Sequence, residues 1–389
     1  MAVYEKWSHI KFQKTWQIGE SVSFMLGQCE AMLDIICREP LLPEYRKDWY
    51  KVALIKGAKA TTAIEGNTLS EEEIAKINEG AHLPKSMEYL EIEVKNIIEA
   101  LNDIRDEVIL KKADSLITPE LILSFHQYVG KNLGEKFDAA PGHFRKSGHE
   151  VVVGRYRAPD GSLVREMMIK LCNWLQSEFE YSNRSQNFMG SIIEAIVVHI
   201  YIAWIHPFGD GNGRTARLVE FFLLLRAGVP DIASHTLSNF YNKTRSEYYR
   251  QIEQSISAGD ISEFINYAVE GFRDELKTLV DGVIESQIKA FWRIHIYETL
   301  DSKKSSGKTK NIVKRRREFM LNIPIGKQLS IEQLMTDVPV IFMIYRNMSP
   351  ATIRRDIKDL LALELIVKEN DKYKANTDVL IKALPLKKR

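Results

Sequence analysis

The sequence predicts a mainly α-helical protein with one short β-hairpin in its middle and a small C-terminal piece of its own pattern. Three observations carry this. Residues 191–205 (SIIEAIVVHIYIAWI) and 218–225 are apolar on nearly every side, as in helices buried through the middle of a domain. The first hundred or so residues mix apolar stretches with charged faces, as in residues 90–104 (LEIEVKNIIEALNDI), without the alternation of a strand. Within this helical background, residues 151–159 crowd β-branched side chains around a glycine, which reads as a hairpin.

At 389 residues and 45% hydrophobic content the chain can bury a large core and should hold two or three domains. We expect an N-terminal helical region over 1–115, a core over 116–275, a helical connector and basic linker over 276–310, and the C-terminal piece over 311–389. The net charge of +2 does not make the whole protein a polyanion binder. Cys29, Cys37 and Cys172 are odd in number and include no CxxC pair, which argues against a disulfide framework and a zinc site and suits a reducing cytoplasm. The first residues, MAVYEKWSHIKFQKTW, lack the apolar run of a signal peptide. There is no internal repeat.

Taken in order, Thr118-Pro119-Glu120 supplies a cap, an N1 proline and a first-turn acid, and so opens a helix at the start of the core. The hairpin follows PGHFRK at 141–146. The helix at 191–205 is too short for a membrane span and carries Glu194 and His199, so no membrane association is expected. After it comes HPFGDGNGRTAR at 206–217, a loop feeding the N-terminus of a second apolar helix, which Gly228 and Pro230 end. A further helix begins near Asp260 and runs toward Thr299.

The loop at 206–217 carries the chemistry. A helix N-terminus offers unpaired N–H groups and partial positive charge, and Gly211 and Gly213 let a phosphate approach the backbone. With a nucleoside triphosphate as the anion, Asp210 can hold Mg2+, and Asn212 can donate to a phosphate oxygen. Arg214 and Arg217, three apart, share a helix face and can grip the outer phosphates. His206 is left as a base for an incoming hydroxyl. A calcium loop is rejected, because counting from Asp210 puts Arg214 and Phe221 where oxygen ligands belong. A P-loop at Gly307-Lys308-Thr309 is rejected, because Ser302 replaces its first glycine and no strand precedes it.

With every defining position filled, His206-Pro-Phe208-x-Asp210-Gly211-Asn212-Gly213-Arg214-x-x-Arg217 resembles the signature of the Fic family. The resemblance implies an all-helical Fic fold and transfer of AMP from ATP to a Ser, Thr or Tyr hydroxyl of a target protein, the chain itself included. It makes His206 the catalytic base and Asp210 the Mg2+ ligand, with Gly211, Asn212, Gly213, Arg214, Thr215, Ala216 and Arg217 on the ATP. Thr61-Thr62-Ala63-Ile64-Glu65-Gly66-Asn67 resembles the family's inhibitory motif, defined by Thr61, Glu65 and Gly66. We expect Glu65 to pair with Arg214 and deny it to the γ-phosphate. The flap that holds target and nucleotide in this family matches Val153, Gly154, Arg155 and Tyr156, and the tyrosines bordering its adenine match Tyr248 and Tyr249. Two alternatives stand beside transfer: a DNA-binding regulator whose core only senses nucleotide, and an enzyme in which Glu65 activates water to remove AMP.

From 303 to 317 there are eight Lys or Arg and no acid, a linker entering a basic helix. Further on, Ser330 caps a helix, and Ser349-Pro350 opens another with Ile353, Ile357, Leu360 and Leu361 on one face and Thr352, Arg354, Arg355 and Lys358 on the other. Residues 365–367 and 372–374 around Asn370-Asp371 read as a wing. The arrangement resembles a winged helix, which sets such a helix in the DNA major groove. The intervening MTDVPVIFMIYRNM is long for a simple turn, and a module for docking proteins or forming a homodimer is the alternative.

Overall fold

A computed structural model describes residues 6–38, 43–112, 116–179, 188–301 and 307–381. The expected linker residues 303–306 and the first five residues lie outside these. Two compact units result, Met1–Val280 and Asp281–Arg389. The expected 1–115 and 116–275 regions both lie in the first unit.

The first unit starts with α1 (Glu20–Arg38), α2 (Pro43–Ala63), α3 (Glu71–Asn78) and α4 (Glu88–Arg105). Ser70 and Glu73 form a capping box that starts α3. Next, α5 (Pro119–Gly130) opens as expected, with the Thr118 hydroxyl accepting from the Leu121 N–H at 3.2 Å. The hairpin is β1 (Val152–Val153) and β2 (Tyr156–Arg157), antiparallel with Val153 opposite Tyr156. Then follow α6 (Gly161–Glu178), α7 (Phe188–Ile205), α8 (Asn212–Arg226), α9 (Thr236–Lys243), α10 (Arg245–Ala258) and α11 (Ser262–Asp301). α7 and α8 pack on each other, with α2, α4 and α5 also against α8. The length and apolarity of α7 would suit a membrane span, but its side chains are the buried centre of this unit.

The first part of α11 belongs to this unit and its last part to the second, which adds α12 (Gly307–Asn322), α13 (Ile331–Asp337), α14 (Pro339–Tyr345), α15 (Pro350–Ala362), β3 (Ile366–Glu369), β4 (Lys372–Ala375) and α16 (Asp378–Ile381). The long segment before Ser349 is explained by α14, a helix of its own with Pro339 at N1. β3 and β4 pair antiparallel around Asn370 and Asp371, both with positive φ, as a two-residue hairpin turn needs. Ile353, Ile357 and Leu360 of α15 enter the core of this unit with Phe319, Ile341 and Tyr345.

α2 meets α9 at Gly57, where a Cβ would come within 2.2 Å of the His235 ring. Gly57→Ala should therefore cost about 1–3 kcal/mol through overpacking. Gly27, exposed in α1 with no atom within 4 Å of its Cβ position, should instead gain about 0.5–1 kcal/mol as alanine. Urea unfolding of both variants checks the opposite signs.

Candidate active site

The Gly211 backbone turns at φ +79° to begin α8, a conformation that suits glycine, and Asn212, Gly213 and Arg214 form the first turn. Asn212 closes the loop by accepting from the Phe208 N–H and donating to the Phe208 carbonyl, both at 2.9 Å. Both ends of its side chain are thereby used. This side chain thereby braces the loop, and its backbone N–H lies at the helix end.

His206 takes φ +50°, a conformation costing about 1–3 kcal/mol for a residue with a Cβ. Arg145 holds it there. The guanidinium donates to the carbonyl of His206 at 2.8 Å and to those of His149 and Pro159, while the Arg145 N–H donates to Pro207. From the other side, His126 Nδ1 accepts from Gly142 and Nε2 donates to the Asp210 carbonyl at 3.0 Å, with its ring stacked on Phe208. The His206 Nδ1–H donates to the Ala203 carbonyl at 3.3 Å, which leaves Nε2 as the basic nitrogen. Burial brings the His206 pKa down to about 4, so the imidazole is neutral at pH 7.

Glu65 lies in the turn that follows α2, where Gly66 takes φ +103°. Its carboxylate accepts from Arg217 Nη2 at 2.6 Å, and the Thr61 carbonyl accepts from the same nitrogen at 2.9 Å. Glu65 therefore pairs with Arg217, and the expected pairing with Arg214 is corrected. Arg214 is already held by Glu93 of α4 and, at 2.8 Å, by Asp210. Glu65 Oε1 sits 2.1 Å from where a Gly213 Cβ would be, so the carboxylate rests against the start of α8, where a phosphate would bind. Burial opposes its ionisation, yet the charges of Arg217 and Arg214 hold its pKa below the usual carboxylate range. Glu93 behaves oppositely, raised by burial and by the Asp210 charge against the pull of Arg214.

A cavity of about 700 Å³ joins Glu65, His206, Asn212 and Gly213 with all four flap residues, Val153, Gly154, Arg155 and Tyr156, and with Tyr248 and Tyr249. That volume is in the usual range for a small-molecule site. The Tyr156 hydroxyl donates to the Trp204 carbonyl at 2.7 Å and anchors the flap. Tyr249 donates to the Ile64 carbonyl at 3.1 Å, steadying the Glu65 turn, and the Tyr248 hydroxyl bonds His199 at 2.8 Å. Thr215 and Ala216 point elsewhere. Both are fully buried and neither lines the cavity. The remaining cavity wall is Ala203, Ile252, Glu253 and Ile256, none of them anticipated.

Among the described residues no three His, Cys, Asp or Glu side chains cluster as a metal site. Asp210 fits a different kind of ion. Its contacts from the Gly211 N–H and Arg214 both fall on Oδ1, so Oδ2 is the oxygen left for a cation. Mg2+ commonly takes one or two carboxylates and draws its other ligands from phosphate and water.

Residues 116–224 match the model of the Fic/DOC family. This segment is a Fic domain. The chain is 29% identical over 234 residues to protein adenylyltransferase fic-1 of Caenorhabditis elegans, covering 58% of this chain and 42% of the relative. It is 31% identical over 208 residues to protein adenylyltransferase Fic of Nematostella vectensis, covering 53% and 44%. The chain thus spans less than half the length of these curated relatives. Among solved structures, a Fic family protein from Desulfovibrio desulfuricans G20 superposes with a TM-score of 0.56 at 20% identity, covering 93% of this chain and 98% of that one. Fic-1 from C. elegans does so with 0.53 at 23% identity over 69% and 74%. Both likenesses place the fold of the Fic domain.

Four histidines have lowered pKa values through desolvation: His9, His126 and His206 to about 4, and His235 to about 3. Each binds its proton more readily in the unfolded chain, near pH 6.5. Stability from these groups is therefore complete above about pH 6.5 and declines as the pH falls toward 4. Thermal midpoints from pH 7.5 to 5 should drop, and His126→Gln, which removes one such group, should flatten the slope; an unaltered slope rejects the linkage for His126.

Proposed function

We propose that the chain is a self-inhibited protein adenylyltransferase, transferring AMP from ATP to the hydroxyl of a Ser, Thr or Tyr on a target protein, itself included. One observation carries the reading: the Glu65 carboxylate sits on Gly213 and Arg217 at the start of α8, in the same cavity as the neutral imidazole of His206. A carboxylate held in that way marks an anion site and fills it. The names of the curated relatives support the same chemistry.

With Glu65 displaced, the first-turn N–H groups and Arg217 receive the phosphates. His206 Nε2 accepts the proton of the target hydroxyl as that oxygen bonds to the α-phosphorus, and the bond from the α-phosphorus to the bridging oxygen breaks to release pyrophosphate. Asp210 would hold the Mg2+, which neutralises phosphate charge when bound. The flap, whose Val152 and Val153 are exposed, offers a strand edge to the target backbone.

Hydrogen bonds to charged groups are worth about 1.5–3 kcal/mol, or about 10- to 150-fold in an equilibrium. Glu65→Gly should raise autolabelling from α-labelled ATP by about that factor, and adding His206→Ala should abolish it. Equal labelling with and without Glu65 discards the self-inhibition. Removal of AMP from a pre-labelled protein by the wild-type chain, lost in Glu65→Gly, would favour the reverse reaction.

For the C-terminal unit we propose DNA binding through α15. Arg354, Arg355 and Lys358 are exposed and Thr352 half-buried on the face opposite its apolar one, with the β3–β4 hairpin following. Replacing the three basic residues with alanine should weaken duplex binding and reduce the steepness of its salt dependence by about one for each phosphate no longer engaged. Absence of a mobility shift at low salt for the unaltered chain would leave this unit as a protein-docking or dimer module. The free thiols Cys29, Cys37 and Cys172 are consistent with a proposed cytoplasmic setting.

A further inference from the structure

Resting on the reading of the site as a Mg2+–ATP transferase, we propose that Glu93 is a positioning residue for the divalent cation, acting through Arg214 on Asp210. Glu93, Arg214 and Asp210 form one chain. Arg214 is 3% exposed; its Nη1 donates to Glu93 and its Nη2 to Asp210 Oδ1 at 2.8 Å. The Phe137 ring lies 5.6 Å from the guanidinium carbon. The other Glu93 oxygen accepts from Asn67 Nδ2 at 3.0 Å, and that nitrogen also donates to the Leu90 carbonyl. Both ends of Glu93 are therefore fixed, and Arg214 is confined between two carboxylates rather than extended toward the phosphates.

Charge explains the consequence. Two carboxylates against one guanidinium leave one net negative charge at the place where the cation binds. With Glu93 sharing Arg214, the guanidinium is not left to Asp210 alone, and the bonds on Oδ1 leave Oδ2 for a cation. A neutral residue at 93 makes the trio neutral and sets the whole Arg214 charge against Asp210, in competition with the cation. Partners of a metal ligand typically change metal affinity by about 10- to 100-fold when removed. If instead Glu93 simply restrained an arginine that grips phosphate, releasing it would tighten nucleotide binding and leave the metal unaffected.

The test uses the full chain carrying Glu65→Gly, with Mn2+ as the metal and a non-hydrolysable ATP analogue. Mn2+ affinity is read by electron paramagnetic resonance and analogue affinity in EDTA by calorimetry. Adding the isosteric Glu93→Gln should weaken Mn2+ at least about tenfold while metal-free analogue affinity stays within about twofold. Glu93→Asp, which keeps the charge, should restore Mn2+ affinity to within about threefold of the Glu65→Gly parent. Unchanged Mn2+ affinity in Glu93→Gln, or a metal-free analogue bound tenfold more tightly, overturns the proposal. If the Glu65→Gly parent takes up neither analogue nor Mn2+, the transferase reading itself fails.

Discussion

The side chain of Arg217 is sealed from solvent and keeps its charge, so the fold must bring an anion to it. Leaving a buried cation without a partner costs several kcal/mol, which excludes a resting state with nothing at this position. Glu65 meets the need, assisted by the Thr61 carbonyl. Yet Nε and Nη1 of Arg217 have no partner, and Nη1 lies 3.0 Å from where a Gly213 Cβ would be. The guanidinium can thus satisfy a larger anion than the carboxylate it holds. In the proposed transferase, Glu65 and a phosphate are alternative ways of neutralising one charge, and each excludes the other.

Two arginines three residues apart could share one ligand, but the packing divides them. α2 and α4 both lie against α8, and each sends a different carboxylate. The turn after α2 supplies Glu65 to Arg217, and α4 supplies Glu93 to Arg214. Asn67 belongs to the same turn as Glu65 and bonds Glu93, so that short segment touches the partners of both arginines. The partners of the two arginines are consequently tied to one piece of backbone.

Much of this is legible in the sequence, for reasons tied to chain locality. The loop from His206 to the first turn of α8 is contiguous, so residue types and spacing alone specify a base beside a helix N-terminus. The helix starts at Thr118 and Ser330 are readable because capping is local chemistry. Which arginine meets Glu65 is not readable, since it depends on how the α2 turn is set against α8. Burial along α8 is not readable from periodicity either, since Arg214 to Leu225 are buried on every face. Glu93 does leave a signal: it shares a stripe with Ile97, Ala100 and Ile104, all buried, and an acid on such a stripe needs a cation. Arg145 and His126 give no comparable sign, because their partners are carbonyls and N–H groups whose positions only tertiary structure defines.

Those last two residues account for the precision of the site. Neither is in the motif, yet Arg145 bonds the carbonyls on either side of the strained His206 backbone, and His126 secures the Asp210 carbonyl four residues on. Asn212 closes the interval between them on Phe208. His206 and Asp210 are thus held at the two ends of one braced loop, the kind of positioning that the proposed transfer would use. Burial supplies the protonation state from the same packing, since the desolvation that confines the imidazole also keeps it neutral. With the loop braced in this way, control of the proposed chemistry reduces to which anion occupies the cradle, and so to whether the Glu65 turn remains seated.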